Sequence, residues 1–359
     1  ILCNLIDKKM EQKKKVLITG ASGTVGKEAL EILVKKRQYT ITVFDLKTKR
    51  AESIFNPYKN QINIIYGDLT NPEDVSKAVK NTDAVIHLGA VIPPLADTDT
   101  RLAYNVNVNG TKNLLNALEG NAPNAFFMYA SSISVYGDRV KSPMIRTSDP
   151  LIASERDYYA ETKIEAESLI QKSELQWTIF RLSAVMGYGN HKMSGIMFEM
   201  PLETSIEIIS PKDTAMAFVN GLEKKEKLIS GIFNLGGGER NRIHYRDFME
   251  RSFQTNGLGK VNFPQYAFAE KNYHCGFYAD GDILNDILCF RNDTLESYFE
   301  NLKKSSGVMQ RFLASVFKVI VKKRLLALSH PYQAYKNNDK KESARFFETT
   351  LAGERATAS

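Results

Sequence analysis

Over roughly the first 185 residues, short apolar runs alternate with amphipathic segments of helical period. The apolar runs predict strands at 16–19, 40–45, 62–66, 84–88, 126–130 and 177–183. The segments between them predict helices at 24–36, 72–80, 100–119 and 157–172. Strands that alternate with helices form crossover units, which build a parallel sheet with helices on both faces. The predicted fold is therefore α/β, a doubly wound parallel sheet.

The alternation weakens after residue 185, which predicts a smaller second lobe. Residues 206–235 predict two strands and a helix that return to the sheet. The predicted organisation is an N-terminal tail at 1–12, a first domain at 13–185 joined by 206–235, a smaller C-terminal lobe at 186–303, a basic amphipathic helix at 304–335 and a polar tail at 336–359.

Glycines recur where the first predicted strand turns into the first helix, in Leu-Ile-Thr-Gly-Ala-Ser-Gly-Thr-Val-Gly at 17–26. Gly20 allows a tight turn, Gly23 lets backbone N–H groups approach a pyrophosphate, and Gly26 lets helix and strand pack closely. Thr24 and Val25 open the helix, whose positive N-terminus attracts phosphate. The pattern predicts a dinucleotide-binding turn of the Rossmann type.

The second predicted strand ends at an acidic residue, Asp45. A carboxylate there accepts hydrogen bonds from the adenosine ribose and repels a 2′-phosphate, which predicts NAD(H) rather than NADP(H). Lys47, Lys49 and Arg50 follow closely and could partly restore phosphate binding. The first domain is thus predicted to be a Rossmann-type NAD-binding domain, and 186–303 a substrate lobe over the cofactor.

A tyrosine and a lysine lie one helical turn apart in Tyr159-Ala-Glu-Thr-Lys163. A tyrosine titrates near pH ~10, but a nearby ammonium, helped by an oxidised nicotinamide, favours the phenolate and lowers its pKa. Tyr159 can then take a proton from a substrate hydroxyl as hydride leaves carbon, or return it in the reverse direction. Lys163 can also hydrogen-bond the nicotinamide ribose. Ser132 follows the strand at 126–130, where such sheets bind ligands, and can hydrogen-bond the reacting oxygen.

These motifs occur in the order found in extended short-chain dehydrogenases/reductases, and the chain resembles the NAD-dependent epimerase/dehydratase family. Besides the glycine turn and the Tyr-Lys pair, the resemblance rests on Gly67-Asp-Leu69, His87-Leu-Gly-Ala90, Asn107-Val-Asn-Gly-Thr111 and Ser131-Ser-Ile-Ser-Val-Tyr-Gly137. It covers residues 16 to about 187. The resemblance also implies a homodimer.

The resemblance assigns further residues to the cofactor. Asp68 and Leu69 would contact the adenine, and the dinucleotide would be lined by Leu88, Gly89 and Ala90. These segments follow the third and fourth predicted strands, so they are expected at the same edge of the sheet as the glycine turn.

The resemblance also assigns the catalytic residues. Ser132, Tyr159 and Lys163 would act directly, and Asn107 would support the active-site helix and the proton relay. His87 is expected to be a buried histidine at a strand end rather than a base.

Three departures from the family pattern bear on the substrate. Ile133-Ser134 stands where 4,6-dehydratases carry an Asp-Glu pair, so dehydration is not expected. Ala184 cannot make the amide contact that epimerases make to a nucleotide diphosphate. The interval between Gly189 and Ser210 is short and lacks the arginine-bearing arm that commonly clamps a sugar nucleotide.

Three functions follow as hypotheses. The first is a nucleotide-sugar epimerase or reductase that acts at a secondary alcohol or ketone, because this is the commonest activity of the family. The second is a dehydrogenase or reductase of a less polar, steroid-like or isoprenoid-like carbonyl compound. The third is a non-catalytic dinucleotide sensor, against which the intact Ser132, Tyr159 and Lys163 argue.

The charge is concentrated near the C-terminus. The chain has a net charge of +7, yet residues 303–345 contain eleven Lys or Arg and only two Asp or Glu. The three cysteines lack metal-ligand spacing and cannot form a disulfide framework, which favours a reducing, cytoplasmic compartment and predicts no metal site.

Apolar residues between 309 and 328 recur at helical spacing beside basic residues. Such a helix either packs on the substrate lobe or lies on an anionic membrane surface, and it is too short in apolar length to span a bilayer. Nucleic-acid binding is not predicted, because no recognised module accompanies the charge.

Overall fold

A computed structural model of the protein describes residues 13–187 and 193–348. The tail predicted at 1–12 lies outside these ranges. The strands in the described residues are β1 (Lys14–Thr19), β2 (Tyr39–Asp45), β3 (Ile62–Tyr66), β4 (Ala84–His87), β5 (Phe126–Ser132), β6 (Met144–Ile145), β7 (Gln176–Leu182), β8 (Ala184–Val185), β9 (Ser205–Ile209), β10 (Gly231–Leu235), β11 (Arg242–His244) and β12 (Phe277–Tyr278).

Helices pack around these strands along the whole described chain. The α-helices are α1 (Thr24–Lys36), α2 (Lys49–Phe55), α3 (Pro72–Ala78), α4 (Leu95–Thr98), α5 (Thr100–Tyr104), α6 (Thr111–Asn121), α7 (Tyr158–Lys172), α8 (Pro211–Gly221), α9 (Tyr245–Thr255), α10 (Asp282–Leu288), α11 (Leu295–Ser305), α12 (Val308–Val316), α13 (Lys318–Leu326), α14 (His330–Lys336) and α15 (Lys340–Phe346).

Seven strands form one parallel sheet in the order β10-β7-β5-β4-β1-β2-β3. Its central strands are buried on both faces, which explains their continuous apolar sequences. In β5, Phe126 and Met128 belong to one hydrophobic core, whereas Phe127 and Tyr129 belong to the core on the opposite face. The predicted doubly wound α/β fold is confirmed.

The chain reverses its direction across the sheet between β1 and β4. These two strands are neighbours, with Val16 opposite Ala84 and Thr19 opposite His87, so they end at the same edge. Open α/β sheets bind ligands in the crevice beyond the carboxyl ends of the strands at such a reversal.

The expected return of two strands from 206–235 is half right. Strand β10 pairs with β7, and α8 packs against α1, but β9 lies in a separate sheet between β8 and β11. Glu207, at the centre of β9, is a fully buried carboxylate. It forms an ion pair with Arg242, the opposite residue of antiparallel β11.

The smaller lobe has an aromatic core of its own. Phe198, Phe248 and Phe253 are buried in it, and Phe198 contacts the rings of Phe263 and Phe268. The core takes residues from β9, α9, α11 and α13, so the lobe continues past the predicted boundary at 303.

The single basic helix expected over 304–335 is wrong. The chain instead forms the end of α11, then α12, α13 and α14. Gly307 precedes α12, and Pro331 stands in the first turn of α14, where its missing N–H costs no helix bond. Ser329 caps α14 by accepting from the Tyr332 N–H at 3.0 Å.

The polar tail expected over 336–359 is also wrong as far as residue 348. This stretch contains α15, and Phe346 and Phe347 are buried beside Ala269 and Ala334. Arg156 forms an ion pair with Glu342 of α15. Two aromatic side chains therefore fold the segment onto the lobe despite its charged surroundings. Within the described ranges, no helix combines the length and apolarity needed to cross a bilayer.

Candidate active site

The glycine turn between β1 and α1 is too tightly packed to carry side chains at two positions. Gly20 has a φ of +68°, and a Cβ there would lie 2.7 Å from the Cα of Gly89. A Cβ on Gly26 would lie 2.2 Å from the Gly20 carbonyl oxygen. Gly23 is the N-cap of α1 and Thr24 its first residue. The first N–H groups of a helix have no partner within it, so this turn offers donors to a phosphate.

The Asp45 carboxylate is held at the tip of β2 against this turn. One oxygen accepts from the Ser22 N–H at 2.8 Å and the other from the Leu46 N–H at 2.9 Å. Each carboxylate oxygen keeps lone-pair capacity for a further donor. The Arg50 guanidinium donates to the Ser22 carbonyl at 3.2 Å, which places a positive charge beside the same turn.

The segments after β3 and β4 form the other wall of the crevice. Leu88, Gly89 and Ala90 follow β4 directly, and Asp68 and Leu69 follow β3. A Cβ on Gly89 would lie 3.0 Å from the Leu69 Cδ1, so the two segments touch. All five residues are partly exposed. The structure therefore brings the predicted cofactor residues to one edge of the sheet.

His87, at the end of β4, is buried as expected. The Thr19 hydroxyl accepts from the Gly89 N–H at 3.2 Å and lies 2.6 Å from His87 Nδ1. The Thr111 hydroxyl donates to the Asn107 carbonyl at 2.7 Å and accepts from His87 Nε2 at 3.1 Å. Burial, together with the positive charge of Lys163, lowers the pKa of His87 to about 3. The imidazole is therefore neutral, with its proton on Nε2.

Asn107 lies where the helix predicted over 100–119 widens into a π-helical turn, Asn105–Gly110. Such turns often occur at functional sites. The Asn107 amide accepts from the Val91 N–H at 2.8 Å and donates to the Val91 carbonyl at 2.9 Å and the Thr162 hydroxyl at 3.0 Å. It thus ties the segment after β4 to α7.

Ser132, Tyr159 and Lys163 come together at the end of β5. Ser132 is the last residue of this strand, and the other two occupy successive turns of α7. The Lys163 ammonium donates to the Ala130 carbonyl at 2.7 Å and to the Tyr129 hydroxyl at 3.2 Å. Its nitrogen lies 5.7 Å from the centre of the Tyr159 ring.

The direction of the Ser132 hydroxyl follows from its neighbours. Its oxygen accepts from both the N–H and the hydroxyl of Ser134, at 3.1 and 3.0 Å. The serine proton is therefore left for another acceptor, and Ser132 hydrogen-bonds Tyr159. A hydroxyl that donates to the phenol oxygen favours the phenolate.

The expected lowering of the Tyr159 pKa is not what the protein groups produce. Burial raises this pKa above its ordinary value, the charge of Asp157 raises it further, and the Ser132 hydrogen bond only partly opposes them. Burial also lowers the pKa of Lys163 to about 7, while Glu167 acts to raise it. Desolvation thus favours the neutral form of both candidate catalytic groups.

The sequence did not predict the buried ion pair that lies next to the candidate catalytic residues. Glu167 is fully buried and Arg181 almost so, and their closest atoms are 2.7 Å apart. Glu167 also accepts from the Ser131 hydroxyl at 2.5 Å. Its position four residues after Lys163, on the same helix face, was the available signal.

The ion pair continues as a hydrogen-bond network into the smaller lobe. Arg181 donates to the Tyr136 hydroxyl at 2.8 Å, which donates to the Asn234 side chain at 2.6 Å. Asn234 donates to Asp280 at 2.8 Å, and Asp280 accepts from the Thr147 N–H and hydroxyl at 2.7 and 2.9 Å. β5, α7, β7 and β10 are thereby held in one fixed arrangement.

Among solved structures, the fold resembles a UDP-glucuronic acid 4-epimerase from Bacillus cereus in complex with UDP-glucuronic acid and NAD. The TM-score is 0.66 at 21% sequence identity, over 81% of this chain and 99% of that one. At this identity the similarity establishes the fold.

Sequence relatives include two steroid enzymes. The chain is 30% identical over 207 residues to a 3-beta-hydroxysteroid dehydrogenase of Mycolicibacterium neoaurum, covering 54% of each chain. It is 29% identical over 180 residues to the human sterol-4-alpha-carboxylate 3-dehydrogenase (decarboxylating), covering 50% of this chain and 45% of that one. The chain thus spans about half the length of the relatives it matches.

The family model of the NAD-dependent epimerases and dehydratases matches residues 16–236, more than half of the chain. This range contains the glycine turn, the crevice between β1 and β4, and the residues at the end of β5. The expected resemblance is confirmed, and with it the NAD-dependent class of enzyme. The chain belongs to the NAD-dependent epimerase/dehydratase family.

Proposed function

We propose that the protein is an oxidoreductase or epimerase that acts at a secondary alcohol or ketone. The observation that carries this proposal is the grouping of Ser132, Tyr159 and Lys163 at the end of β5. Strand β5 is the neighbour of β4, so these side chains lie one strand away from the crevice that the glycine turn and Asp45 border.

The residues around the crevice fit NAD. Gly20 and Gly26 allow a close backbone packing of the turn that a Cβ at either position would prevent. The Asp45 carboxylate is held against this turn by the Ser22 N–H, where it could accept from an adenosine ribose. When bound, NAD supplies the hydride acceptor and its reduced form the donor. The residues that would hold it are Gly20, Gly23, Thr24, Val25, Gly26, Asp45, Asp68, Leu69, Leu88, Gly89, Ala90, Tyr159 and Lys163.

Tyr159 would exchange the proton with the substrate oxygen. Because burial raises its pKa, the phenol keeps its proton at neutral pH and can donate it to a carbonyl oxygen. For alcohol oxidation it must first lose that proton, and the Ser132 hydroxyl and the Lys163 ammonium both favour the phenolate. Two Lys163 donors are directed at Ala130 and Tyr129, and the third would serve the nicotinamide ribose.

For the substrate we favour a less polar ring alcohol of the hydroxysteroid kind. The sequence relatives described above are steroid enzymes by name. Ala184, at the start of β8, offers no amide for a nucleotide diphosphate, and Ile133 and Ser134 offer no carboxylates for dehydration.

A nucleotide sugar is the second candidate. Its support is the fold similarity to the UDP-glucuronic acid 4-epimerase, which extends over nearly the whole of that chain. A polar substrate of this kind would need diphosphate contacts from residues other than Ala184.

We further propose that the protein acts in the cytoplasm as a homodimer at the surface of a membrane. The family resemblance supports the dimer. So do the exposed side chains of Leu102 and Tyr104 on α5 and Tyr158 on the adjoining α7. Light scattering at micromolar concentration tests the proposed dimer, and a monomeric mass would contradict it.

The experiment for the activity is a two-arm substrate test. Purified protein is mixed with NAD and a 3β-hydroxysteroid, and NADH formation is followed by absorbance. In the second arm, UDP-glucuronic acid is supplied with NAD, and its epimer is sought by chromatography. We expect turnover in the steroid arm. Turnover in the sugar arm alone would make the second candidate correct.

The matched variants are Tyr159→Phe and Tyr158→Phe, which remove neighbouring phenol hydroxyls from the same helix. We expect Tyr159→Phe to lower turnover by about 10² or more with NAD affinity retained, because only the proton-transfer group is lost. Tyr158 is 40% exposed, and its variant should keep full turnover. Equal activity of both variants would refute the proton transfer. NAD binding with turnover of neither substrate would favour the sensor hypothesis.

A further inference from the structure

The two short helices α12 and α13 expose an unusual amount of apolar surface. Eight of their large apolar side chains are between 47% and 76% exposed. We define the α12–α13 apolar surface by these residues: Val308, Met309, Phe312, Leu313, Val316, Phe317, Val319 and Ile320. Single exposed apolar residues are ordinary, but a cluster of this size marks an interaction surface.

The opposite side of the two helices is fixed to the lobe. Ala314, Val321 and Leu325 pack in its aromatic core. The Lys322 ammonium donates to the Lys260 carbonyl and to the Asn262 side chain, both at 2.6 Å. These contacts hold the helices in place, so the α12–α13 apolar surface is directed away from the core by the fold itself.

The same segment carries the excess positive charge of the protein. Residues 303–328 contain seven Lys or Arg and no Asp or Glu. The 41 remaining basic residues equal the 41 acidic residues in number, so the net charge of +7 resides in this segment. Lys318, Lys323 and Arg324 are exposed beside the apolar side chains.

We propose that the α12–α13 apolar surface docks on an anionic lipid bilayer. The inference rests on the membrane-surface location proposed above and names the residues that make the contact. Amphipathic helices of this kind bury their apolar side ~5–10 Å into the headgroup region, and basic residues add attraction to anionic lipids. Phe312, Phe317 and Ile320 would enter the bilayer, and Lys318 and Lys323 would meet the headgroups.

Charge excludes a second copy of the chain as the occupant. A symmetric dimer through this surface would bring two segments of seven positive charges and no negative charge together. Like charges across an interface oppose association. An anionic bilayer instead matches both the apolar side chains and the basic ones.

Docking would hold the substrate lobe against the bilayer. The helices share their core with β9 and α9, so the docked surface belongs to the smaller lobe, for which we propose the substrate-binding role. Apolar ring alcohols partition into bilayers. An enzyme of the proposed kind would thus take its substrate from the membrane it rests on.

The test is flotation of the full chain with vesicles, one set of phosphatidylcholine alone and one with added phosphatidylserine. We expect binding to the anionic vesicles, weakened by raised salt because salt screens the basic residues. The double variant Phe312→Gln with Phe317→Gln should lower the vesicle partition coefficient by about tenfold or more. The reason is that two apolar side chains that the bilayer would bury are lost. Lys318→Glu with Lys323→Glu should lower it by a similar factor.

The control pairs change the same residue types elsewhere on the surface. Ile152→Gln with Ile283→Gln removes exposed apolar side chains, and Lys224→Glu with Lys227→Glu reverses exposed charges. Both should leave vesicle binding close to that of the unchanged protein. Thermal melting and NAD binding of every variant establish that it is folded.

Three outcomes would overturn the docking proposal. They are no binding to anionic vesicles at low salt, equal loss in test and control pairs, and self-association that the phenylalanine pair abolishes without any vesicle binding. The two proposals fail separately. Vesicle binding without turnover would refute only the activity, and turnover without vesicle binding would refute only the docking.

Discussion

Burial controls the ionisable side chains around the active site. His87 and Lys163 both have lowered pKa values because the charged form of each would lie away from water, and Tyr159 has a raised one for the same reason. Burial thus opposes the charged form of each of these side chains, and their protonation couples to the stability of the fold.

His87 should make the protein sensitive to acid. In the unfolded chain it takes a proton near its ordinary pKa of 6.5, but in the folded protein only near 3. Because the folded pKa is lowered, stability is lost as the pH falls from 6.5 towards 3. We measure the free energy of unfolding in urea for the unchanged protein and for His87→Gln over this pH range. We expect it to fall less for the variant, and the two decreases should differ by up to about a few kcal/mol. Parallel curves for the two proteins would contradict this coupling.

Asp45 should set the choice of cofactor. Its carboxylate accepts hydrogen bonds and repels phosphate, and Arg50 lies beside the same turn. We expect the unchanged protein to bind NADH more tightly than NADPH in calorimetric titrations. Asp45→Ser should weaken NADH binding by about tenfold or more, because a charged acceptor is lost, and should narrow the gap to NADPH. Tighter NADPH binding by the unchanged protein would refute the assignment.

At the scale of elements, helix α7 carries both candidate catalytic residues and one partner of a buried ion pair. One side of the helix carries Tyr159 and Lys163, and one turn later Glu167 pairs with Arg181 of β7. The same carboxylate accepts from Ser131, the neighbour of Ser132. The candidate catalytic residues of β5 and α7 are thus aligned by a single buried pair.

Replacing only one partner of the Glu167–Arg181 ion pair should destabilise the folded protein strongly. Glu167→Met or Arg181→Met alone leaves a buried charge without its partner, and we expect a loss of about 3–5 kcal/mol in the free energy of unfolding. The double variant should lose less than the two single losses added together, because neither charge remains. Urea unfolding of the four proteins measures this. Additive losses would show that the pair does not act as a unit.

At the scale of the whole molecule, the C-terminal helices are part of the fold. Phe346 and Phe347 are almost fully buried, and Arg345 and Glu199 form an ion pair between α15 and the lobe. The helices therefore close the lobe rather than extend from it, while α12 and α13 keep an apolar side exposed.

The two kinds of phenylalanine in this region should respond differently. Phe347→Ala removes a buried ring, and we expect a loss of about 3–5 kcal/mol in the free energy of unfolding. Phe312 is 63% exposed, so Phe312→Ala should change the free energy of unfolding by about 0.5 kcal/mol or less. Denaturant unfolding compares them. A large loss for Phe312→Ala would mean that its side chain is packed within the protein.

The sequence by itself determined the doubly wound fold and the residues of the candidate site. Alternating apolar runs, the glycine spacing at 20, 23 and 26, Asp45 at a strand end, and the Tyr159-Lys163 pair are all local patterns. Each is imposed by the period of a strand or helix or by the steric needs of one turn, so a short stretch of chain suffices to recognise it.

Only the tertiary structure decided which distant groups meet. Glu207 of β9 meets Arg242 of β11, and Glu167 of α7 meets Arg181 of β7. The pKa of Tyr159 rises because desolvation by the surrounding chain outweighs a hydrogen bond from Ser132. The basic segment divides into short helices with their apolar side outward. Burial and pairing depend on residues far apart in sequence, and no local pattern specifies them.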